Sequence, residues 1–228
     1  MRYDLCVVGA GGTGTYFLKE VGRFLSGRNT DISSIHIFDG DIVEEKNLTR
    51  QCFLSEDIGR NKASVMGEIL SDAFNLNVYA HPIFIKEAND LKIFKHIPII
   101  VSCVDNHGAR LILEEFFENQ DDCILLDSGN EFTTGEVVMA YKLQSRVYGP
   151  PRSYYFPEIK KGDTRNVTEL SCEELNKVTP QHIFTNMLAG NILCSAISNL
   201  LSTKITPGVV FFNALNFSME MKEFKKGI

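Results

Sequence analysis

The sequence predicts an α/β fold: a mostly parallel sheet with helices on both faces, extended by antiparallel C-terminal strands and a long crossover loop. Three observations predict it. Short apolar runs alternate with stretches of helical spacing through the first half of the chain. A cluster of glycines closes the first apolar run and opens the first helical stretch. Two later runs, IPIIVSCV and CILLD, are apolar without alternation, as in strands covered by helices on both sides. Repetition of strand, helix and strand implies right-handed crossovers and so a parallel, Rossmann-like sheet.

Taken in order, Tyr3–Val8 (YDLCVV) is the first strand, and residues 13–25 come next as a helix with Tyr16, Phe17, Val21, Phe24 and Leu25 on one stripe. Residues 34–38 (SIHIF) form a second strand ending at Asp39. Lys62–Phe74 is a second helix, and residues 77–83 a third strand. Residues 97–104 and 123–127 are buried strands, with a helix over 109–117 between them. The pattern then changes. Residues 136–142 (EVVMAYK) read as an additional, antiparallel strand.

Residues 145–180 are polar, with little periodicity, and contain Gly149-Pro150-Pro151 and Lys160-Lys161-Gly162-Asp163. Loops of this length are usually functional or mobile. Helix returns at about 180–201, with Pro180 suited to its first turn, and residues 209–217 suggest a closing strand. The chain is read as one domain: an alternating strand–helix core over 1–142, a crossover loop over 143–180, and a C-terminal helix and strand over 181–228.

Bulk composition narrows the partners. Of the 228 residues 44% are hydrophobic and 23% charged, ordinary values for a globular chain with a sizeable core. The net charge of −6, without clustered Lys and Arg, argues against nucleic acid as the main partner. No uninterrupted apolar run approaches the roughly 18 residues of a membrane span, and the N-terminus enters a strand without a signal-like region. A cytoplasmic protein is expected. None of the six cysteines forms a C-x-x-C pair, so paired-thiolate zinc has no support and free thiols are expected.

The chemistry begins at Gly9-Ala10-Gly11-Gly12-Thr13-Gly14. Gly9, Gly11, Gly12 and Gly14 let the backbone turn tightly and approach a phosphate, and the helix N-terminus supplies N–H groups and positive dipole. Asp39, ending the second strand, is the usual acceptor for a ribose hydroxyl. By itself this fits NAD, FAD or ATP equally.

Motifs further along the chain separate these nucleotides. Asp39-Gly40-Asp41-Ile42-Val43 leads into Asn47-Leu48-Thr49-Arg50-Gln51; then come Asp57-Ile58-Gly59-Arg60-Asn61-Lys62-Ala63 and Asp105-Asn106-His107-Gly108-Ala109-Arg110. These four motifs, in this order, resemble those of the ThiF/MoeB family, which includes ubiquitin-activating enzymes; the resemblance covers residues 3–142 well. It implies an adenylyltransferase that uses ATP and Mg²⁺ to activate the C-terminal carboxylate of a small ubiquitin-like or sulfur-carrier protein with a Gly-Gly tail. It also implies a homodimer, with Phe184, Met187, Leu188 and Leu193 as interface candidates that a core role explains equally. By this resemblance Asp39 holds the ribose, Asn47, Arg50 and Lys62 the phosphates, and Gln51 supports the phosphate site. By the same resemblance Asp105 would ligate or position Mg²⁺. Asp41 fits either the site or a simple turn, and Asn106 either a ligand role or a helix cap. Asp127-Ser128-Gly129 borders the site or makes a turn.

Cys172, at the end of the long loop, occupies the place where some relatives carry a cysteine that takes the activated acyl group. Glu169, Glu173 and Glu174 beside it oppose thiolate formation, so a nucleophile and an inert loop cysteine both stay open. Two departures stand out. Gly149-Pro150-Pro151-Arg152 replaces the zinc-binding C-x-x-C frame of many relatives, so no structural zinc is expected. Only Arg2 precedes the first strand, where relatives carry an arginine-bearing arm. The rivals are an NAD- or FAD-dependent oxidoreductase, which leaves the Asn47, Arg50, Gln51 and Lys62 cluster idle, and a non-catalytic binding module.

Overall fold

A computed structural model describes residues 1–28, 30–161, 182–202 and 206–225. Its centre is a single sheet in the order β3-β2-β1-β4-β5-β6-β8-β9, with β7 also on β6. The strands are β1 (Tyr3–Val8), β2 (Ile32–Phe38), β3 (Val78–His81), β4 (Ile97–Ser102), β5 (Cys123–Asn130), β6 (Thr134–Leu143), β7 (Arg146–Gly149), β8 (Gly208–Asn213) and β9 (Ser218–Glu223). The helices are α1 (Gly12–Leu25), α2 (Lys62–Phe74), α3 (His107–Asn119), the single turn α4 (Arg152–Tyr155) and α5 (Ile183–Ser202). The first five strands are parallel, with Val7 opposite both Ile37 and Val101. From β5 onward every pairing is antiparallel.

Period-2 alternation sorts β1 onto two cores. Leu5 and Val7 pack with Phe17, Leu18 and Val21 of α1, Met66 and Leu70 of α2, and Ile192 and Leu193 of α5. Cys6 and Val8 point the other way, toward Leu113, Phe116 and Phe117 of α3. Strands buried on both faces leave only the sheet's edges and strand ends for chemistry. The β1-to-α1 turn opens at the carboxyl ends of β1, β2 and β4, where Gly9 N donates to Phe38 O and Cys103 N to Val8 O, each at 2.8 Å.

Several expectations need correction. The closing strand does not run to Phe217: it stops at Asn213, whose side chain accepts from Leu215 N at 2.8 Å, and the chain turns back as β9. An asparagine that bonds its own following backbone is a turn-maker that the surrounding apolar residues obscured. Residues 145–161 are not featureless, since they hold β7, α4 and a 3₁₀ turn over Pro157–Lys161. Pro180 and Cys172 lie outside the described residues.

α5 is long and apolar enough to cross a membrane by length and composition. It packs instead as a core helix on α1, where a side chain at Gly190 would come 3.0 Å from Phe17 N. Of the proposed interface residues, Leu193 belongs to this core while Phe184 is exposed.

Candidate functional site

The glycine turn is dictated by close approach. Gly9 has φ +93°, and a Cβ there would stand 2.7 Å from Cys103 O, so β4 passes directly behind it. A Cβ on Gly14 would overlap Gly9 O. Gly11 differs: a Cβ there would meet nothing nearer than Gln51 Nε2 at 3.9 Å, so its open side faces the space above the sheet. Behind this turn α1 starts without a side-chain cap and without an acidic residue in its first turn. Its first N–H groups therefore have no side-chain partner of the usual kind, and the helix dipole adds positive potential there.

Asp39 braces the turn. Its carboxylate accepts from Ala10 N at 2.6 Å and from Asp41 N at 2.8 Å. Burial raises its pKa above the ordinary carboxylate value, opposed by the Lys62 charge and the backbone N–H groups. Each oxygen retains a second lone pair for a hydroxyl donor. Asn61, to which the family motifs give no role, ties this loop to α2. Its Nδ2 donates to Asp39 O at 2.8 Å and Asp41 O at 2.9 Å, while its Oδ1 caps the helix through Ser64 N. The signal was available: an asparagine directly before a helical stretch is a preferred cap.

Lys62 opens α2 and is buried, with Nζ 3.0 Å from Asp41 Oδ2. Asp41 is thus more than a turn acid, because it orients the ammonium. Asn47 is also buried, and its Oδ1 accepts from Glu44 N at 2.9 Å while its carbonyl accepts from Gln51 N at 2.9 Å. It therefore shapes the turn that presents Arg50 and Gln51. Gln51 reaches the glycine turn, and its buried Oε1 has no hydrogen-bond partner among the described residues. Cys52 N donates to Thr15 Oγ1 at 3.3 Å, which ties the same segment to α1.

Asp105 is exposed, two residues beyond Cys103 at the end of β4. Asn106 caps α3 by accepting from Ala109 N at 2.8 Å, and His107 is exposed at the helix start. Arg110 Nη2 holds Val104 O at 2.8 Å, which steadies the residue before Asp105. Asp127 does not make a turn: it lies in β5, opposite Ser102 at the end of β4. It is buried within β5 between Arg110, at 3.4 Å, and Arg152. Arg152, in the frame where cysteines are absent, also bonds Glu136 Oε1 at 2.5 Å, so an ion cluster fastens this segment to β5 and β6.

Arg2 lies at the other end of the sheet, its carbonyl accepting from Ile97 N. It lines a hollow of about 610 Å³ with Asp4, Ser34, His36 and His96, and none of the predicted site residues lines that hollow. The five described cysteines all have pKa values raised by burial, with Cys194 pushed up to about 12, so none is a ready nucleophile.

These residues suit a nucleoside triphosphate. The open side of Gly11, with Gln51 Nε2 nearest to it, and the uncapped helix start make a polar cradle, and the Lys62 ammonium lies close enough to Asp39 to oppose its raised pKa. For a divalent cation, no cluster of three or more His, Cys, Asp or Glu exists among the described residues. A single carboxylate such as Asp105 is compatible with Mg²⁺, which commonly takes one or two carboxylates plus substrate phosphates.

Fold and site together define a Rossmann-like α/β protein with a glycine turn and a cluster of polar side chains at the carboxyl ends of its parallel strands. The chain belongs to the ThiF family, whose model matches residues 2–227. It is 31% identical over 148 residues to the NEDD8-activating enzyme E1 catalytic subunit of Saccharomyces cerevisiae, covering 60% of this chain and 47% of that one. It is 32% identical over 117 residues to a sulfur carrier protein adenylyltransferase of Thermus thermophilus, covering 50% and 41%. The chain thus spans less than half the length of these curated relatives. Among solved structures it resembles E. coli MccB with ATP at a TM-score of 0.66 and 16% identity, over 96% of this chain and 63% of that one. PaaA is similar at a TM-score of 0.68 and 14% identity, over 97% and 64%. These structures share the fold.

Proposed function

We propose that this chain is an adenylyltransferase that activates the C-terminal carboxylate of a small ubiquitin-like or sulfur-carrier protein with ATP. The observation that carries the reading is the uncapped start of α1 behind the glycine turn, flanked by the buried Lys62, Gln51 and the Asp39 brace. In the reaction a carboxylate oxygen attacks the α-phosphorus, and the bond to pyrophosphate breaks. Negative charge must accumulate where two anions meet. The loop N–H groups, Lys62 and Arg50 offset it, and Asp41 holds Lys62 in one orientation so that little reorganisation is needed. Asp39 receives the ribose hydroxyls on the lone pairs left by Ala10 and Asp41. Mg²⁺, held by Asp105 and the phosphates, would add neutralising charge.

Supporting the choice of acceptor are the names of the relatives, which act on a ubiquitin-like modifier and on a sulfur carrier. We assign the chain a homodimeric state on the family resemblance, and its cytoplasmic placement stays an expectation from the sequence. Transfer of the acyl group to Cys172 belongs to the same proposal. ATP–pyrophosphate exchange that depends on Mg²⁺ and on a carrier ending in Gly-Gly tests the main reading. Exchange absent with every carboxylate acceptor, or retained in full by Asp105→Ala, counts against it. Mass spectrometry of the chain under turnover tests Cys172, and an unmodified cysteine removes the thioester.

A further inference from the structure

Against the first turn of α1 lies a cluster of three uncharged polar side chains from distant parts of the chain, two of them buried and Asn130 half-buried. Thr13 comes from the first turn of α1, Asn130 from the end of β5, and Asn186 from the first turn of α5. Asn130 Nδ2 donates to Thr13 Oγ1 at 2.6 Å and to Asn186 Oδ1 at 3.1 Å, and Thr13 Oγ1 lies 3.3 Å from the same Oδ1. Asn186 is fully buried, and its Nδ2 has no hydrogen-bond partner among the described residues. Its amide plane lies directly on Gly12: a Cβ there would come 2.8 Å from Asn186 Cγ and closer still to Nδ2. Gly12 is the first helical residue of α1, so its N–H is among those a phosphate would meet.

This arrangement is poor for stability. A buried amide with an unmet N–H carries a desolvation penalty that an apolar side chain of the same shape would avoid. What it supplies is geometry, since the amide forms a flat wall that sets how far the start of α1 can retreat from the ligand side. Thr185, beside it, anchors the wall by donating to Phe132 O at 2.7 Å.

We propose that Asn186, with Thr13 and Asn130, is a positioning residue for the nucleotide: it holds the Gly12 backbone against the phosphates without touching them. The inference rests on the adenylyltransferase reading for the identity of the nucleotide. Asn186→Leu, nearly isosteric, separates positioning from stability. Expected are a melting temperature equal to or above that of the unaltered chain and ATP affinity weakened about tenfold, with kcat for pyrophosphate exchange changed much less than KM. Thr13→Val should weaken ATP binding in the same direction, and the double variant should lose less than the product of the two effects. If Asn186→Leu does not fold, Asn186→Ser and Thr13→Val carry the test by the same readouts. Unchanged ATP affinity in a folded variant overturns the positioning role while leaving the adenylyltransferase reading intact. Failure of the unaltered chain to bind ATP overturns both.

Discussion

Replacing Arg152 with methionine should destabilise the protein strongly without touching the glycine turn. Arg152 is almost fully buried: its Nε bonds Asp127 Oδ2, its Nη1 lies 2.5 Å from Glu136 Oε1, and its Nη2 donates to Asp127 O at 3.1 Å. Burial alone would lower its pKa, but Asp127 and Glu136 more than offset this, so the guanidinium is held in its charged form. Methionine fills much of the space and removes the charge. Asp127, 4% exposed, then faces only Arg110 at 3.4 Å, and Glu136 loses its partner.

Breaking a buried pair from one side costs about 3–5 kcal/mol, because an uncompensated charge stays behind. For a chain of this size that corresponds to a fall in Tm of roughly 6–20 °C. The assay is thermal unfolding by circular dichroism, run on Arg152→Met, Asp127→Asn and the double variant. Removing both partners leaves Arg110 with Glu136, so the double variant should cost about 2 kcal/mol less than the sum of the singles. A Tm within about 2 °C of the unaltered chain for Arg152→Met, with additive singles, would refute the cluster's role.

Three further perturbations reach the glycine turn, the phosphate side and the far edge of the sheet. Gly9→Ala forces a side chain onto φ +93° and against Cys103 O at 2.7 Å, so it should cost about 2 kcal/mol or more and abolish ATP binding, measured by denaturant titration and calorimetry. Lys62→Met should lower pyrophosphate exchange by about 100-fold, as expected for loss of one preorganised cation, with Tm changed little because the paired Asp41 is partly exposed. Stability should fall as pH drops below about 6.5.

The pH dependence rests on a relay. Ser34 Oγ bonds Asp4 Oδ1 at 2.8 Å and His36 Nε2 at 3.1 Å, and His36 Nδ1 meets His81 Nε2 at 3.0 Å. Burial lowers both histidine pKa values, so the folded form stays neutral where the unfolded chain takes protons. Their contribution is complete above the unfolded value and is lost as pH falls through the folded one. Asp4 acts the same way at lower pH: burial opposes its charge, but bonds from Ser34 and His96 hold its pKa below the ordinary value. Asp39, raised by burial, acts in the opposite sense, losing stability as pH rises through the carboxylate range. Melting from pH 8 to 5, with His36→Gln flattening the profile, checks the histidine part; a flat profile in the unaltered chain removes it.

Much of the site is legible in the sequence. Gly9 to Gly14, Asp39, Asn47, Arg50, Gln51, Lys62 and Asp105 form local motifs, and residues at strand ends in a parallel sheet converge by topology. Such motifs depend on neighbours along the chain and on periodicity, which sequence carries directly. Asn61 was readable too, as a helix cap, although its bonds to Asp39 O and Asp41 O were not.

What only the tertiary structure decided are pairings between side chains far apart in sequence. Asp127 was readable as a strand-end acid; only packing shows it between Arg110 and Arg152, inside β5. Asn186 reads as one of several polar residues in a largely apolar helix, and its seat against Gly12 depends on how closely α5 approaches α1. The closing strand's break at Asn213 likewise depended on a side chain bonding the turn beyond it. Sequence thus determined the sheet, the glycine turn and the order of the nucleotide motifs, because each is set by local geometry. The structure decided which charges are buried and what stands behind the loop, because a hydrogen bond exists only where folding brings its two ends to within about 3 Å.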